Sequence, residues 1–301
     1  MPASVSVTHF SDPGCPWAYS ARPAHAVLRW RYGAQLEWRL VTIGLTERAE
    51  QYVQRGYAPA GSARGLLKFR RYGMPFATEP RRRVAGTGTA CRAIVATRLR
   101  DPERELEVFR ALQFGWFTTG LVLDEPEDIA AALARVEGLD VATIVGALQD
   151  PEVERAYEAD RAEARTAEGG PTAFQGKAAQ TDGPVRFTAP SLIFECDGRR
   201  LEAGGFQPVE AHDVLIANLG ATLTRTTPPE DLRELFAAFP EGLVTQEVAA
   251  ILAEGNEPPD RAAAEVGLID LVAAGGARRV GLGDDALWLA PQAAAGLRRA
   301  A

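Results

Sequence analysis

Cysteine is scarce: Cys15, Cys91 and Cys196 are scattered through 301 residues. Their odd number and wide spacing exclude a disulfide framework and a cysteine-rich zinc module, and fit a reducing compartment. Any cysteine chemistry is therefore chemistry of a site. Histidine is equally rare, at His9, His25 and His212, with no His-x-x-x-His spacing, so no metal centre is expected. Long apolar runs are missing, and the start Met-Pro-Ala-Ser-Val-Ser-Val has neither the basic nor the apolar segment of a leader. No membrane span or secretory signal is expected, and a cytoplasmic location follows by default. A Gly-x-Ser-x-Gly elbow is also absent, and Gly86-Thr-Gly88 lacks the third glycine and preceding strand of a dinucleotide fingerprint. Serine hydrolysis and nucleotide binding thus have no support.

What is present is an ordinary globular composition, 46% hydrophobic and 24% charged, at a length that suggests two packed units. The net charge of −7 hides a polarity: residues 1–100 carry +11 and the remainder −18. The basic excess gathers at Arg64, Lys68, Arg70, Arg71 and Arg81 to Arg83, around Tyr72-Gly-Met-Pro-Phe76. Such a cluster suits an acidic small molecule, with Arg70, Arg71 and Arg82 as candidate anion-binding residues, although a solvated face paired by acidic segments fits as well.

Val5, Val7 and Phe10 alternate with polar residues as a strand that Ser11-Asp-Pro-Gly14 stops. A helix follows, with Pro16 in its first turn and Tyr19, Ala26, Val27 and Trp30 along one stripe until Gly33, and residues 36–43 form a second strand. Strand, helix, strand predicts a parallel βαβ unit. Residues 46–165 read as helix after helix, near 61–72, 86–100, 103–118, 125–136, 140–148 and 151–167. A polar loop follows. Residues 191–196 and 199–202 then read as two strands joined at Asp197-Gly198, and residues 208–219 as a closing helix.

Residues 226–291 form a third unit, three helices and a hairpin around Gly283-Asp-Asp285, the plan of a winged helix. Its 6 arginines against 12 acidic residues over 226–301 oppose phosphate binding, so the module is assigned to interaction or dimerisation and no nucleic acid is expected. The Ala/Arg-rich end is expected to fray.

Cys15 lies in Asp12-Pro-Gly-Cys-Pro-Trp-Ala18, where a strand becomes a helix. Free N–H groups and the helix dipole at that point favour a thiolate, so Cys15 is the candidate nucleophile or thiol-contacting residue. Cys91 and Cys196 are expected to be buried, with a distant resolving role open to either. His9, three residues before Asp12, is placed to reach the rim of this site. Trp17 and Tyr19, with Trp116 and Phe117, are candidates to line a cleft between domains.

Cys15-Pro-Trp-Ala-Tyr19 resembles the Cys-Pro-Trp-Cys-Tyr active site of DsbA-like proteins of the thioredoxin superfamily, whose branch includes FrnE-type oxidoreductases and, with Ser for Cys, 2-hydroxychromene-2-carboxylate isomerases and kappa-class glutathione transferases. The likeness spans about residues 4–220, including Arg71-Tyr-Gly-Met-Pro-Phe76 and Thr188-Ala-Pro-Ser191. It implies an α/β thioredoxin-like domain (1–45 and 184–222) and a large all-helical insertion with its linker (46–183), to which the residue pattern adds the winged-helix-like C-terminal module (226–291). It implies Cys15 as the catalytic residue, supported by Asp12, Pro16 and Trp17, with Ala189 and a cis Pro190 presenting backbone to an extended thiol. The chain departs from the pattern at Ala18, which replaces the second cysteine and removes the ordinary dithiol cycle. What the resemblance leaves is thiol-dependent oxidoreductase, isomerase or transferase chemistry through one cysteine. A small thiol such as glutathione, not tightly bound, or a client protein thiol would be the partner, and the assembly is a monomer or a homodimer. The competing reading is a redox-inactive adaptor using the cleft and the acidic tail.

Overall fold

The computed structural model describes residues 4–181, 183–219, 222–255 and 257–291; the Ala/Arg-rich end expected to fray lies outside them. β1 (Val5–Ser11) is the inner strand of a four-stranded sheet and is buried at every position except Ser6. It enters α1 (Pro16–Ser20) and α2 (Arg22–Tyr32), then returns as β2 (Leu36–Thr42), parallel to β1 with Val7 opposite Trp38. One helix was expected from Pro16 to Gly33. It breaks at Ala21 because Pro23 has no N–H for the Tyr19 carbonyl four residues back, and its ring would collide with that oxygen. Gly33, at φ 52°, ends α2 as read.

The insertion is helical as expected: α3 (Ala49–Gln54), α4 (Pro59–Leu66), a 3-10 turn at Leu67–Tyr72, α5 (Gly88–Arg100), α6 (Glu105–Thr118), α7 (Pro126–Leu133), α8 (Val141–Gly146), α9 (Pro151–Ala164) and the short α10 (Pro171–Phe174). Ala90, Ala93 and Ala96 give α5 a small-residue face inside this bundle. At Gly115 of α6 an added Cβ would stand 3.0 Å from Ala132 of α7, so the helices cross too closely for a larger residue. A two-residue ladder, β3 (Ala178–Ala179) with β4 (Arg186–Phe187), lies in the polar loop and had no sequence signal.

β5 (Ser191–Cys196) returns antiparallel beside β1, and β6 (Arg199–Gly204) completes the order β2-β1-β5-β6. Both residues of their turn, Asp197 and Gly198, have positive φ, 49° and 73°, as a two-residue hairpin requires. α11 (Val209–Asn218) then packs on α2 and β6.

The C-terminal unit consists of α12 (Arg233–Ala238), β7 (Leu243–Val244), α13 (Thr245–Leu252), α14 (Arg261–Ala273), β8 (Arg278–Leu282) and β9 (Asp285–Leu289). The three helices and the hairpin stand where the pattern put them, and β7 adds a third strand beside β9. Its core of Leu235, Phe236, Phe239, Val248, Ile251, Leu268 and Trp288 is continuous with Ala26 and Val27 of α2. Arg110 of α6 and Glu247 of α13 form a fully buried pair at 2.6 Å, and Arg22 reaches the same carboxylate at 3.3 Å. These charges hold the Glu247 carboxyl down at about 2 against a burial that pushes the other way.

Candidate active site

The turn between β1 and α1 is built around Asp12. Its Oδ1 accepts the Gly14 N–H at 2.8 Å, and its Oδ2 accepts the Leu45 N–H at 2.8 Å, the Thr87 hydroxyl at 2.9 Å and, at 3.7 Å, the Cys91 thiol. One buried carboxylate thus ties the turn to the end of β2 and the start of α5, fixing the thioredoxin-like sheet against the insertion. Burial raises its pKa and these hydrogen bonds oppose the rise.

Cys15 caps α1 with extended backbone and is 5% exposed. Its Sγ–H donates to the Ala189 carbonyl at 3.2 Å, beside the cis Ala189–Pro190 bond. The geometry therefore brings together Asp12, Cys15, Pro16, Ala189 and Pro190. The thiolate expected at a helix start is not what it yields. Burial pushes the Cys15 thiol up to about 12; the Ala18 and Trp17 N–H groups and the Arg186 charge pull it down only in part, and the Asp12 charge adds to the rise. A five-residue helix has little dipole to offer against desolvation, so the resting group is a thiol. Ala18, three residues beyond Cys15, is buried at 1% exposure. Cys91 and Cys196 are buried as expected, and all three cysteines are free.

Trp17 is 38% exposed and meets Phe69 at 4.9 Å, Phe206 at 5.6 Å and Tyr72 at 5.8 Å. Tyr19, expected at the cleft, is instead in the core below it. It stacks on Phe117 at 4.6 Å and donates its hydroxyl to the Pro75 carbonyl at 2.9 Å. That bond anchors the segment Arg71-Tyr-Gly-Met-Pro-Phe76 under the active-site helix. From the other side, the β8–β9 turn presses on the same segment. A Cβ on Gly283 would lie 3.0 Å from the Phe76 backbone, and Asp284 accepts the Phe76 N–H at 2.7 Å.

A cavity of about 550 Å³ opens between the active-site turn and the insertion. Gly14, Pro16 and Trp17 form one wall, and Trp116 and Phe117 belong to the other, as read from the sequence. Arg81, read as part of the basic cluster, also lines it, as do Tyr52 and Tyr57, which were missed: nothing in the spacing of α3 and its following loop marks the two tyrosines as facing the turn. The three candidate arginines are not assembled here. Arg70 pairs with Asp284 at 3.2 Å, Arg71 donates to the Tyr72 hydroxyl at 2.9 Å, and Arg82 pairs with Glu125 and Asp128. His9 does not reach the rim. It is buried against His25, with ring centroids 4.7 Å apart, because β1 is covered on both faces. Among the described residues no cluster of His, Cys, Asp and Glu is arranged to hold a metal, and no helix is long and apolar enough to cross a membrane.

No curated protein matches the chain significantly. Among solved structures it is similar to a Nitrosomonas europaea protein provisionally named a protein disulfide isomerase (19% identity, 71% of this chain and 97% of that one, TM-score 0.53). It is also similar to a Streptomyces coelicolor protein provisionally assigned as a DsbA oxidoreductase (17%, 76% and 94%, TM-score 0.52), and to the cytosolic disulfide reductase DsbM of Pseudomonas aeruginosa (18%, 71% and 98%, TM-score 0.49). At such identities the two likenesses with TM-scores above 0.5 speak for the fold alone. The DSBA-like thioredoxin domain matches residues 6–188, most of the chain, and the chain belongs to that family.

Proposed function

We propose that the protein is a thiol-dependent transferase or isomerase in which Cys15 holds the thiolate of a small thiol such as glutathione, rather than cycling through a disulfide. The observation that carries this reading is the setting of Cys15: buried, its Sγ–H aimed at the Ala189 carbonyl at 3.2 Å, with alanine rather than cysteine three residues on at Ala18. A nucleophile for disulfide exchange needs a thiolate near neutral pH, and this group is held in the opposite form. A protonated Sγ–H is instead a donor, weak but aimed. A thiol extended along Ala189–Pro190 would take over the carbonyl that Cys15 now uses. Its own proton would pass to solvent, leaving the sulfur to accept from Cys15 and from the Trp17 and Ala18 N–H groups near the Arg186 charge.

The test is the ionisation of bound glutathione, followed by thiolate absorbance in the ultraviolet during calorimetrically verified binding. In the wild type the bound thiol is expected to hold its proton about tenfold more weakly than free glutathione. Cys15→Ser, which keeps a donor, should preserve that effect, and Cys15→Ala should abolish it. A Cys15–glutathione mixed disulfide that forms and turns over, seen by intact mass, would replace this reading with monothiol exchange. Failure of glutathione and of other small thiols to bind at all would leave the adaptor reading.

A further inference from the structure

α14 (Arg261–Ala273) is apolar on two opposite sides. Ala264, Leu268 and Leu271 pack into the core of the C-terminal unit. At about 100° per residue, Ala262, Val266, Ile269 and Ala273 fall on the far side, in the alternating four- and three-residue spacing by which a helix seats on a neighbouring element. That second stripe has no cover: Val266 is 60% exposed and Ile269 52%. A helix apolar on both sides is one whose working state buries both. The edges of the stripe are acidic. Glu265 and Asp270 flank it, neither with an ion pair among the described residues, and the one cation of the helix, Arg261, is held by Asp285 at 3.1 Å. The opposite charge lies on the next element. β8 (Arg278–Leu282) is the outer strand of its sheet and exposes Arg279, Val280 and Gly281. Arg278 and Arg279 have no carboxylate within ion-pair distance among the described residues; Arg278 Nε is buried without a hydrogen-bond partner, and Arg279 lies over the Trp288 ring at 5.6 Å.

We infer that the protein pairs with a second copy of itself through this unit, α14 of each chain lying on β8 of the other about a twofold axis. Charge selects that arrangement. Packing α14 against α14 would bring the acidic edges together, and β8 beside β8 would gather the arginines. The crossed contact instead sets Glu265 and Asp270 against the partner's Arg278 and Arg279, and seats Val266 and Ile269 on the partner's Val280. Area selects it too. A helix of this length is about 20 Å long, and one such stripe falls short of the roughly 800 Å² per partner that a stable interface buries, whereas an isologous pair makes the contact twice. This pairing does not rest on the thiol-holding reading of Cys15.

Sedimentation velocity on the full chain at micromolar concentrations tests the proposal and should show a dimer. Ile269→Lys, an exposed substitution that leaves the core of the unit untouched, should weaken it at least tenfold. The decisive experiment reverses charge. Glu265→Arg with Asp270→Arg makes both contact surfaces basic, and Arg278→Glu with Arg279→Glu makes both acidic, so each double variant alone should be monomeric. Mixed one to one, the two should form a heterodimer whose stability is within about threefold of the wild-type dimer, and raised salt should weaken both dimers. A monomeric wild type would overturn the proposal and leave the stripe to a different protein with basic flanks. A dimer indifferent to Ile269→Lys, or a mixture that stays monomeric, would overturn it as well, and assemblies larger than a dimer would replace the twofold axis with a head-to-tail contact. The wild-type and Ile269→Lys results stand even if a charge-reversed variant fails to fold.

Discussion

Two regions of the molecule hold polar side chains without a hydrogen-bonded partner among the described residues, and they differ in what lies beside them. At the cavity wall, Arg81 lies over Trp116 and stays half-buried, in reach of solvent. In the packed layer between β1, α2 and α11, His9, His25 and His212 crowd together, with ring centroids 4.7 Å and 6.2 Å apart, and His9 Nε2, His25 Nε2 and His212 Nδ1 lack hydrogen-bond partners. The same deficiency has opposite consequences in the two places. Beside a cavity, water completes the group; inside a filled core it is a charge that folding forbids, and so a dependence on pH.

The largest expected effect follows from the histidines. Burial holds His9 down at about 3, His212 at about 4 and His25 well below its ordinary value, and in the cluster the neighbouring histidines and Arg22 push His9 and His25 further down. Folded values below the unfolded one mean that the unfolded chain binds protons first. Stability is therefore complete above about pH 6.5 and falls as pH drops through that value toward the folded pKa values. Three groups together should cost on the order of 5 kcal/mol between pH 7 and pH 5. Urea denaturation at those two pH values measures it directly. A flat profile would show that the cluster takes up protons in the native state and would erase its contrast with the cavity. His25→Phe should remove about a third of the slope.

A smaller but still severe effect is expected where a buried cation does have its partner. Glu247→Ala leaves Arg110 in the core with only the Gly242 carbonyl, and loss of one member of such a pair costs about 3–5 kcal/mol. Chemical denaturation should show it as a lowered midpoint with unchanged slope. Because Glu247 also receives Arg22 and the Val244 N–H, the damage should reach the packing of the C-terminal unit on α2. An unchanged midpoint would show that buried charges in this molecule tolerate isolation.

Sequence reading went far where signals are local and failed where they are not. Pro-Gly before Cys15 and Pro16 after it place the cysteine at a strand-to-helix turn, and Ala189–Pro190 followed from the family likeness. The burial that pushes the Cys15 thiol up had no local sign, because the surroundings of that sulfur come in part from distant chain: Ala189, whose carbonyl it meets, lies 174 residues away. His9 looked like a rim residue because it stands three residues before Asp12 at the end of the strand, whereas both faces of β1 are covered, as an inner strand between β2 and β5 requires. The basic cluster was visible as a cluster only. Arg70 is answered by Asp284, 214 positions later, and Arg82 by Glu125 and Asp128, partners no local pattern announces. Among residues 81–83, composition is uniform and only the fold separates Arg81, which lies over Trp116 without an ion pair among the described residues, from the two that pair with carboxylates.

That separation gives the smallest expected effect and the sharpest control. Arg82 is half exposed, and both of its carboxylates sit on the surface side of α7, where solvent and salt screen the attraction and side-chain ordering offsets much of it. Glu125, moreover, keeps Arg83 as a partner when Arg82 is removed. Arg82→Met should therefore leave the denaturation midpoint within error. A midpoint lowered by Arg82→Met, with the difference from the wild type closed by raising the salt concentration, would show instead that these exposed pairs hold the segment against α7.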